Sequence, residues 1–167
     1  MRKRGIITGL VMMLVGCCLV LPVGAISDEQ KAAIKNHCET IRDDLKKVQR
    51  TDSRIRVYLG GYYEGILTKF ITPLNVKLVE ANLSNANFVE NQNRFANEKV
   101  VFANDFVEYQ KGLEELIAVD CKAEPDRFYE KLTSVRKKRK TVEQEVAKLR
   151  GLIRDNVKLV NELKEKL

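Results

Sequence analysis

The chain of 167 residues lacks tryptophan and has a single histidine, His37. Metal sites and histidine-activated nucleophiles need several His, Cys or carboxylate side chains that converge. His37 and Cys38 are neighbours, and neighbours on a helix point about 100° apart. The sequence also has no glycine-rich phosphate loop. We therefore expect no catalytic residue, no cofactor and no metal ligand, and we expect that the protein is not an enzyme.

Proline is also scarce, with three residues in the chain. Because proline interrupts helices, its scarcity leaves long segments free to be helical. Charged residues make up 32% of the chain, and the mean hydropathy is −0.28. This composition predicts an all-α fold with exposed, elongated helices rather than a thick globular core.

The N-terminus has the pattern of an export signal. Met1–Arg4 carries three basic residues, and residues 5–25 are almost entirely apolar. We predict a signal peptide over 1–25 with cleavage after Ala25, hence a secreted or periplasmic (cell-envelope) protein with no stable membrane span. Two alternatives stay open: lipidation at Cys17, which follows a lipobox-like Leu-Val-Gly, and an uncleaved anchor over 5–25.

Charge is distributed unevenly along the predicted mature chain. Cleavage after Ala25 removes three basic and no acidic residues, which lowers the net charge from +7 to +4. That charge is too low for a dedicated nucleic-acid binder, so nucleic acid is an unlikely partner. Residues 26–72 have a net charge of +2, residues 73–125 of −4 and residues 126–167 of +6. Three neighbouring helices with these charges would complement one another.

Two cysteines, Cys38 and Cys121, remain after the predicted cleavage. An even pair in an exported protein predicts one disulfide, and two free thiols are the alternative. The closed loop would contribute about 4–5 kcal/mol of stability on the chain-entropy model.

The first segment predicts a helix with one apolar stripe. Ser27 and Gln30 are spaced as a capping box. The stripe then steps by four and three residues, and Asp52 interrupts it; its members are Ile34, Cys38, Ile41, Leu45, Val48, Ile55, Leu59, Tyr62 and Ile66. A β-hairpin over 54–67, turning at Gly60-Gly61, is the alternative.

The spacing of apolar residues predicts two further helices after the first. The middle one has aromatic residues every seven positions, which we expect in the core: Phe88, Phe95, Phe102 and Tyr109. The last begins near Pro125 and carries a heptad stripe in which Arg139 and Asn156 fill gaps. We predict one domain over 26–167: an elongated antiparallel bundle or coiled coil of about three long helices. The first turn between helices lies near 60, near 73 or within 80–87.

The densest charge cluster is Arg136, Lys137, Lys138, Arg139 and Lys140. Five consecutive charges surround a helix. They predict either a docking site for an anionic lipid headgroup or wall polymer, or a solvated segment paired to acidic residues of the middle helix.

Several stretches resemble a group of secreted helical proteins from small-genome, host-associated bacteria: Asp52-Ser53-Arg54-Ile55-Arg56-Val57-Tyr58-Leu59-Gly60, Pro73-Leu74-Asn75, Asp120-Cys121 and Phe128-Tyr129-Glu130-Lys131-Leu132. The resemblance covers most of the predicted mature chain and implies a single helical domain with a Cys38–Cys121 bond. It implies no activity.

The function that these patterns favour is that of an exported coiled-coil structural or interaction protein. It would bind a protein partner, or a second copy of itself, through its helix faces. The alternatives are a holdase chaperone of the cell envelope, which needs an exposed apolar face, and a polyanion binder acting through residues 136–140.

Overall fold

A computed structural model describes residues 26–83 and 85–165. The predicted signal peptide, its cleavage site after Ala25 and the alternative lipidation site Cys17 lie outside the described residues. Within the described part the chain is helical apart from short connections, with no β-strand. The all-α prediction is confirmed, and helix occupies the residues where a β-hairpin was the alternative.

Five α-helices and one π turn make up the described residues. Their bounds are α1 Asp28–Asn36, α2 Cys38–Ile66, the π turn Leu67–Ile71, α3 Thr72–Glu80, α4 Ala86–Ala118 and α5 Pro125–Lys164. We call the run from α1 to α3 the first arm. Its start is fixed by the predicted capping box, because the Ser27 hydroxyl accepts from the Gln30 amide at 3.2 Å and the Gln30 side chain accepts from the Ser27 amide at 3.0 Å.

The first arm is interrupted at two places. His37 departs from helical geometry between α1 and α2, with φ −107° and ψ 13°. The π turn comes directly before Pro73, which has no N–H to donate and crowds the preceding turn. The Thr72 amide bonds to the Leu67 carbonyl five residues back, and this wider turn accommodates the proline. Gly60-Gly61 continues the helix.

The first arm ends at Glu80 and α4 begins at Ala86, so the turn that separates them corresponds to the last of the three predicted positions. Asn82 has φ 54° there, in the left-handed region that asparagine tolerates better than most residues. Pro125 opens α5 as predicted.

Helices α4 and α5 pack antiparallel. Lys131 pairs with Glu115 at 2.7 Å, Lys138 with Glu108 at 3.4 Å and Lys148 with Glu98 at 3.1 Å. From one ion pair to the next, the residue number on α5 increases by the same amount by which the residue number on α4 decreases. The basic last segment therefore neutralises part of the acidic middle segment, as the charge blocks predict.

The core lies along α4, which packs on α2 on one side and on α5 on the other. The four predicted aromatic residues of α4 are buried. Tyr63 contacts Phe95 and Phe102 edge to face, and Phe106 contacts Phe102 and Tyr109 in the same way, with centroids 5.5–6.2 Å apart. Such contacts add to the free energy of burial.

Two members of the first stripe were wrongly predicted, because Ile55 is 42% exposed and Tyr62 is 45% exposed. Tyr63, which is not in the stripe, is 1% exposed and packs on Phe95 and Phe102.

The disulfide between Cys38 and Cys121 is formed, with a Cα–Cα distance of 5.6 Å. It joins the start of α2 to the connection between α4 and α5. Both residues are almost fully buried. A disulfide of this kind indicates an oxidising compartment.

Candidate functional site: a groove between the first arm and helix α5

The first arm and α5 line a series of three cavities, which together we call the groove. In order along α5 their volumes are about 430, 320 and 550 Å³. Along α5, the first cavity ends at Arg136 and the second begins at Arg139. The second cavity ends at Arg150 and the third begins at Ile153. Less than one helical turn separates successive cavities. The groove therefore follows α5 for most of its length.

The first and third cavities have mostly apolar linings. The first cavity is lined by Gln30, Ala33, Ile34, Ile41, Asp44, Leu45, Val48, Phe128, Tyr129, Leu132 and Arg136. The third is lined by Ile66, Phe70, Ile71, Leu74, Ile153, Asn156, Val157, Val160, Asn161 and Lys164. Phe70 is 66% exposed and Val157 56% exposed, so large apolar side chains at the third cavity face solvent. Exposed apolar surface of this kind is typical of interaction sites.

The π turn helps to shape the third cavity, because Phe70 and Ile71 belong to it. A π turn changes the angular position of the residues that follow it on a helix. Single π turns inside helices occur frequently at functional sites. The proline that favours this turn, Pro73, therefore contributes to the shape of the groove.

A charged bridge crosses the groove at the central cavity. The Asp52 carboxylate lies 3.9 Å from the Arg139 guanidinium and accepts a hydrogen bond of 2.7 Å from the Tyr109 hydroxyl. Arg139 also lies 3.7 Å from Glu143. Burial, and then the hydrogen bond to Asp52, raise the pKa of Tyr109 above its ordinary value. Asp52 interrupts the apolar stripe of the first arm and Arg139 interrupts that of α5. The two charged side chains form an ion pair with each other.

The other interruption, Asn156, meets a second asparagine. Its amide donates to the Asn91 side chain at 2.7 Å and to the Leu152 carbonyl at 3.1 Å. Asn91 in turn donates to the Leu152 carbonyl at 3.4 Å. Both asparagines are buried. This pair fixes the register of α4 against α5, because any other register would leave buried amides unpaired.

The predicted basic cluster, residues 136–140, is divided among different surroundings. Lys138 pairs with Glu108, and Arg139 forms the bridge to Asp52. Arg136 lines the first cavity. Lys137 and Lys140 are exposed and form no ion pair with the described residues. The structure therefore does not bring all five cations together on one surface.

The groove itself was not predicted from the sequence. The stripe on the first arm was expected to be buried, yet its members Ile41, Leu45, Val48, Leu59 and Ile66 are only half-buried. One signal for the groove was present: each stripe carries one charged interruption, and the two charges are opposite. Two stripes with opposite charges at matching heptad positions indicate helices that face each other.

His37 is exposed. Across residues 26–83 and 85–165, no three His, Cys, Asp or Glu side chains are grouped so that they could hold a metal ion. No described helix combines the length and apolarity that crossing a membrane requires.

No protein family model, no curated protein and no solved structure matches the chain. The resemblance to secreted helical proteins of host-associated bacteria therefore stays a prediction.

Proposed function

We propose that the protein is an exported interaction protein of the cell envelope or extracellular space, without enzymatic activity. In this proposal the first arm, α4 and α5 act as three long helices packed like a coiled coil. A protein partner docks in the groove. The proposal rests on one observation above all: the third cavity exposes Phe70 and Val157 beside an apolar lining.

The geometry of the groove favours a helix as the docking element. The groove is bounded by helices on both sides and follows α5. An amphipathic helix can place apolar residues at positions i, i+3, i+4 and i+7 into such a surface. The disulfide ties the first arm to the connection that leads into α5, and the Asp52–Arg139 bridge joins the two sides of the groove at its centre. Holding the two sides in place before the partner binds reduces the entropy cost of binding.

Site-specific photo-crosslinking in the protein's own cells tests this proposal. A photoreactive phenylalanine analogue is placed at Phe70 or Val157, and at Val100 as the control. Val100 is 55% exposed on α4 and lines none of the three cavities. We expect one discrete protein adduct from Phe70 and Val157 and none from Val100.

Two results would contradict the proposal. The absence of any adduct at Phe70 and Val157 would reject the groove as a protein-binding site. A broad smear of many adducts, together with suppressed aggregation of an unfolded client, would favour the holdase alternative.

A further inference from the structure

The charges that line the groove are not balanced. Arg139 is paired with Asp52 and Glu143, and Asp44 is paired with Lys47 at 2.9 Å. The remaining charged residues of the lining are Arg136, Arg150 and Lys164. All three are exposed, and none forms an ion pair with a described residue. The lining therefore has four basic and three acidic residues, a net charge of +1, and its unpaired charged side chains are all basic.

These three cations form a regular series on α5. Arg136, Arg150 and Lys164 are each separated by fourteen residues. Fourteen residues span about 21 Å of helix, and each of the three side chains lines a different one of the three cavities. An elongated, regular partner with anionic groups at a matching spacing would pair with all three.

A buried acceptor without a partner lies beside the third cavity. Asn156 is 9% exposed. Its amide nitrogen is bonded on the α4 side, but its Oδ1 atom is buried without a hydrogen-bond partner among the described residues. A buried acceptor without a donor costs about 1–3 kcal/mol. Asn156 lines the third cavity, and a donor group on an occupant would reach this atom once the Asn156 side chain rotates toward the cavity.

The length of the groove distinguishes between kinds of occupant. It extends on α5 from Phe128 to Lys164, which is about 54 Å at 1.5 Å per residue. A single lipid acyl chain spans about half of a hydrocarbon core of about 30 Å, or about 15 Å, and is therefore much shorter than the groove. A helix of some 35 residues covers the whole groove.

From these observations, and resting on the proposed function, we infer that the partner presents an acidic amphipathic helix that completes a four-helix arrangement with the first arm, α4 and α5. Its apolar face fills the first and third cavities. Carboxylates on its flank, recurring about every fourteen residues, pair with Arg136, Arg150 and Lys164. A side chain with an N–H or O–H donor lies opposite Asn156.

Charge-swapped peptides test this inference. The probes are two designed amphipathic helical peptides of 35 residues with the same apolar face and one central asparagine. One peptide carries glutamate and the other lysine at the flanking positions. Binding to the oxidised protein is measured by fluorescence anisotropy at two salt concentrations. We expect the glutamate peptide to bind about tenfold more tightly or better, and the preference to weaken as salt increases.

Two triple variants test whether the preference for the glutamate peptide depends on the three groove cations. The groove variant is Arg136→Glu, Arg150→Glu and Lys164→Glu. The control is Lys77→Glu, Lys111→Glu and Lys137→Glu, three exposed lysines outside the three cavities with the same change in net charge. We expect the groove variant to prefer the lysine peptide and the control to keep the preference for glutamate. Circular dichroism confirms that both variants remain helical.

Several outcomes would overturn the inference. They are an absence of binding to either peptide, equal affinity for both, or the same change in preference in both triple variants. Two other occupants would give different results.

If the occupant is a second copy of the chain, the protein is a dimer that dissociates on Val157→Asp. If the occupant is an anionic lipid, vesicles of phosphatidylglycerol bind through the groove cations and neither peptide binds. A discrete crosslink at Phe70 without any charge preference would leave the proposed function standing and reject the acidic helix.

Discussion

Two buried carboxylates, Asp52 and Glu145, are stabilised by different means. Asp52 accepts from the Tyr109 hydroxyl and faces Arg139 across the groove. Glu145 shares Lys148 with Glu98 on α4, at distances of 2.9 and 3.1 Å from the Lys148 ammonium. Burial, and then the neighbouring Glu98, raise the pKa of Glu145, whereas a hydrogen bond from Glu145 and the nearby Lys148 lower the pKa of Glu98. The fold therefore moves the pKa values of these two carboxyls in opposite directions.

Replacing Asp52 by alanine should destabilise the protein by about 1–3 kcal/mol, because the buried Tyr109 hydroxyl would lose its acceptor. Urea unfolding monitored by circular dichroism measures the change. Asp43→Ala is the matched control, since Asp43 is exposed and paired only with Lys46, and it should change stability by less than about 0.5 kcal/mol. Equal losses in the two variants would show that the Tyr109 hydrogen bond contributes little.

Replacing Glu145 by glutamine should stabilise the protein above neutral pH. A carboxyl whose pKa is raised by folding contributes stability below its unfolded pKa of about 4.3, and this contribution is lost as pH rises through the folded pKa. Glutamine keeps the neutral form at every pH. We expect the Tm at pH 7.5 to rise by about 2–4 °C, with a much smaller change at pH 4. Glu162→Gln, at an exposed site on the same helix, is the control. A similar rise in both variants would argue against a pKa of Glu145 that is raised by burial.

At the scale of the elements, the buried pair Asn91 and Asn156 sets how α4 meets α5. Replacing either asparagine by leucine leaves the other amide buried without its partner, which should cost about 1–3 kcal/mol. Replacing both should cost less than the sum of the two single changes, because the unpaired amides are removed together. A double-mutant cycle in urea measures this coupling. Additive losses would mean that the two side chains do not act as a pair.

Sequence patterns accounted for most of the individual elements. The capping box at Ser27, the aromatic spacing of α4 and the start of α5 at Pro125 are local features, and each was predicted correctly. The burial of Tyr63 in place of the predicted Tyr62 could not be foreseen from a local pattern. It depends on the angle at which α2 approaches Phe95 and Phe102, residues that are more than thirty positions away in the sequence.

At the scale of the whole molecule, the Cys38–Cys121 disulfide joins residues 83 positions apart. Replacing both cysteines by serine should lower the free energy of unfolding by about 4–5 kcal/mol, because the unfolded chain is no longer constrained. Urea unfolding under non-reducing conditions measures the loss, and wild-type protein in a reductant should behave like the variant. A loss below about 1 kcal/mol would mean that the reduced chain is already constrained by residual structure.

The export prediction concerns the whole molecule as well. The protein recovered from its own cells should have the mass of residues 26–167 less about two daltons, since one disulfide removes two hydrogens. Intact-mass spectrometry without reductant checks this. A mass that retains residues 1–25, or that includes lipid on Cys17, would show a membrane tether instead.

The sequence by itself determined the helical character of the chain, the cap at Ser27, the start of α5 and the identity of the disulfide partners, because helix periodicity, proline and cysteine pairing act through local chemistry and small numbers of residues. The tertiary structure alone decided that the first arm and α5 lie far enough apart to leave a groove. That distance follows from the side chains of α4 that both of them contact, and from the meeting of Asp52 with Arg139 and of Asn91 with Asn156. These contacts join residues 65 or more positions apart, so no local pattern specifies them.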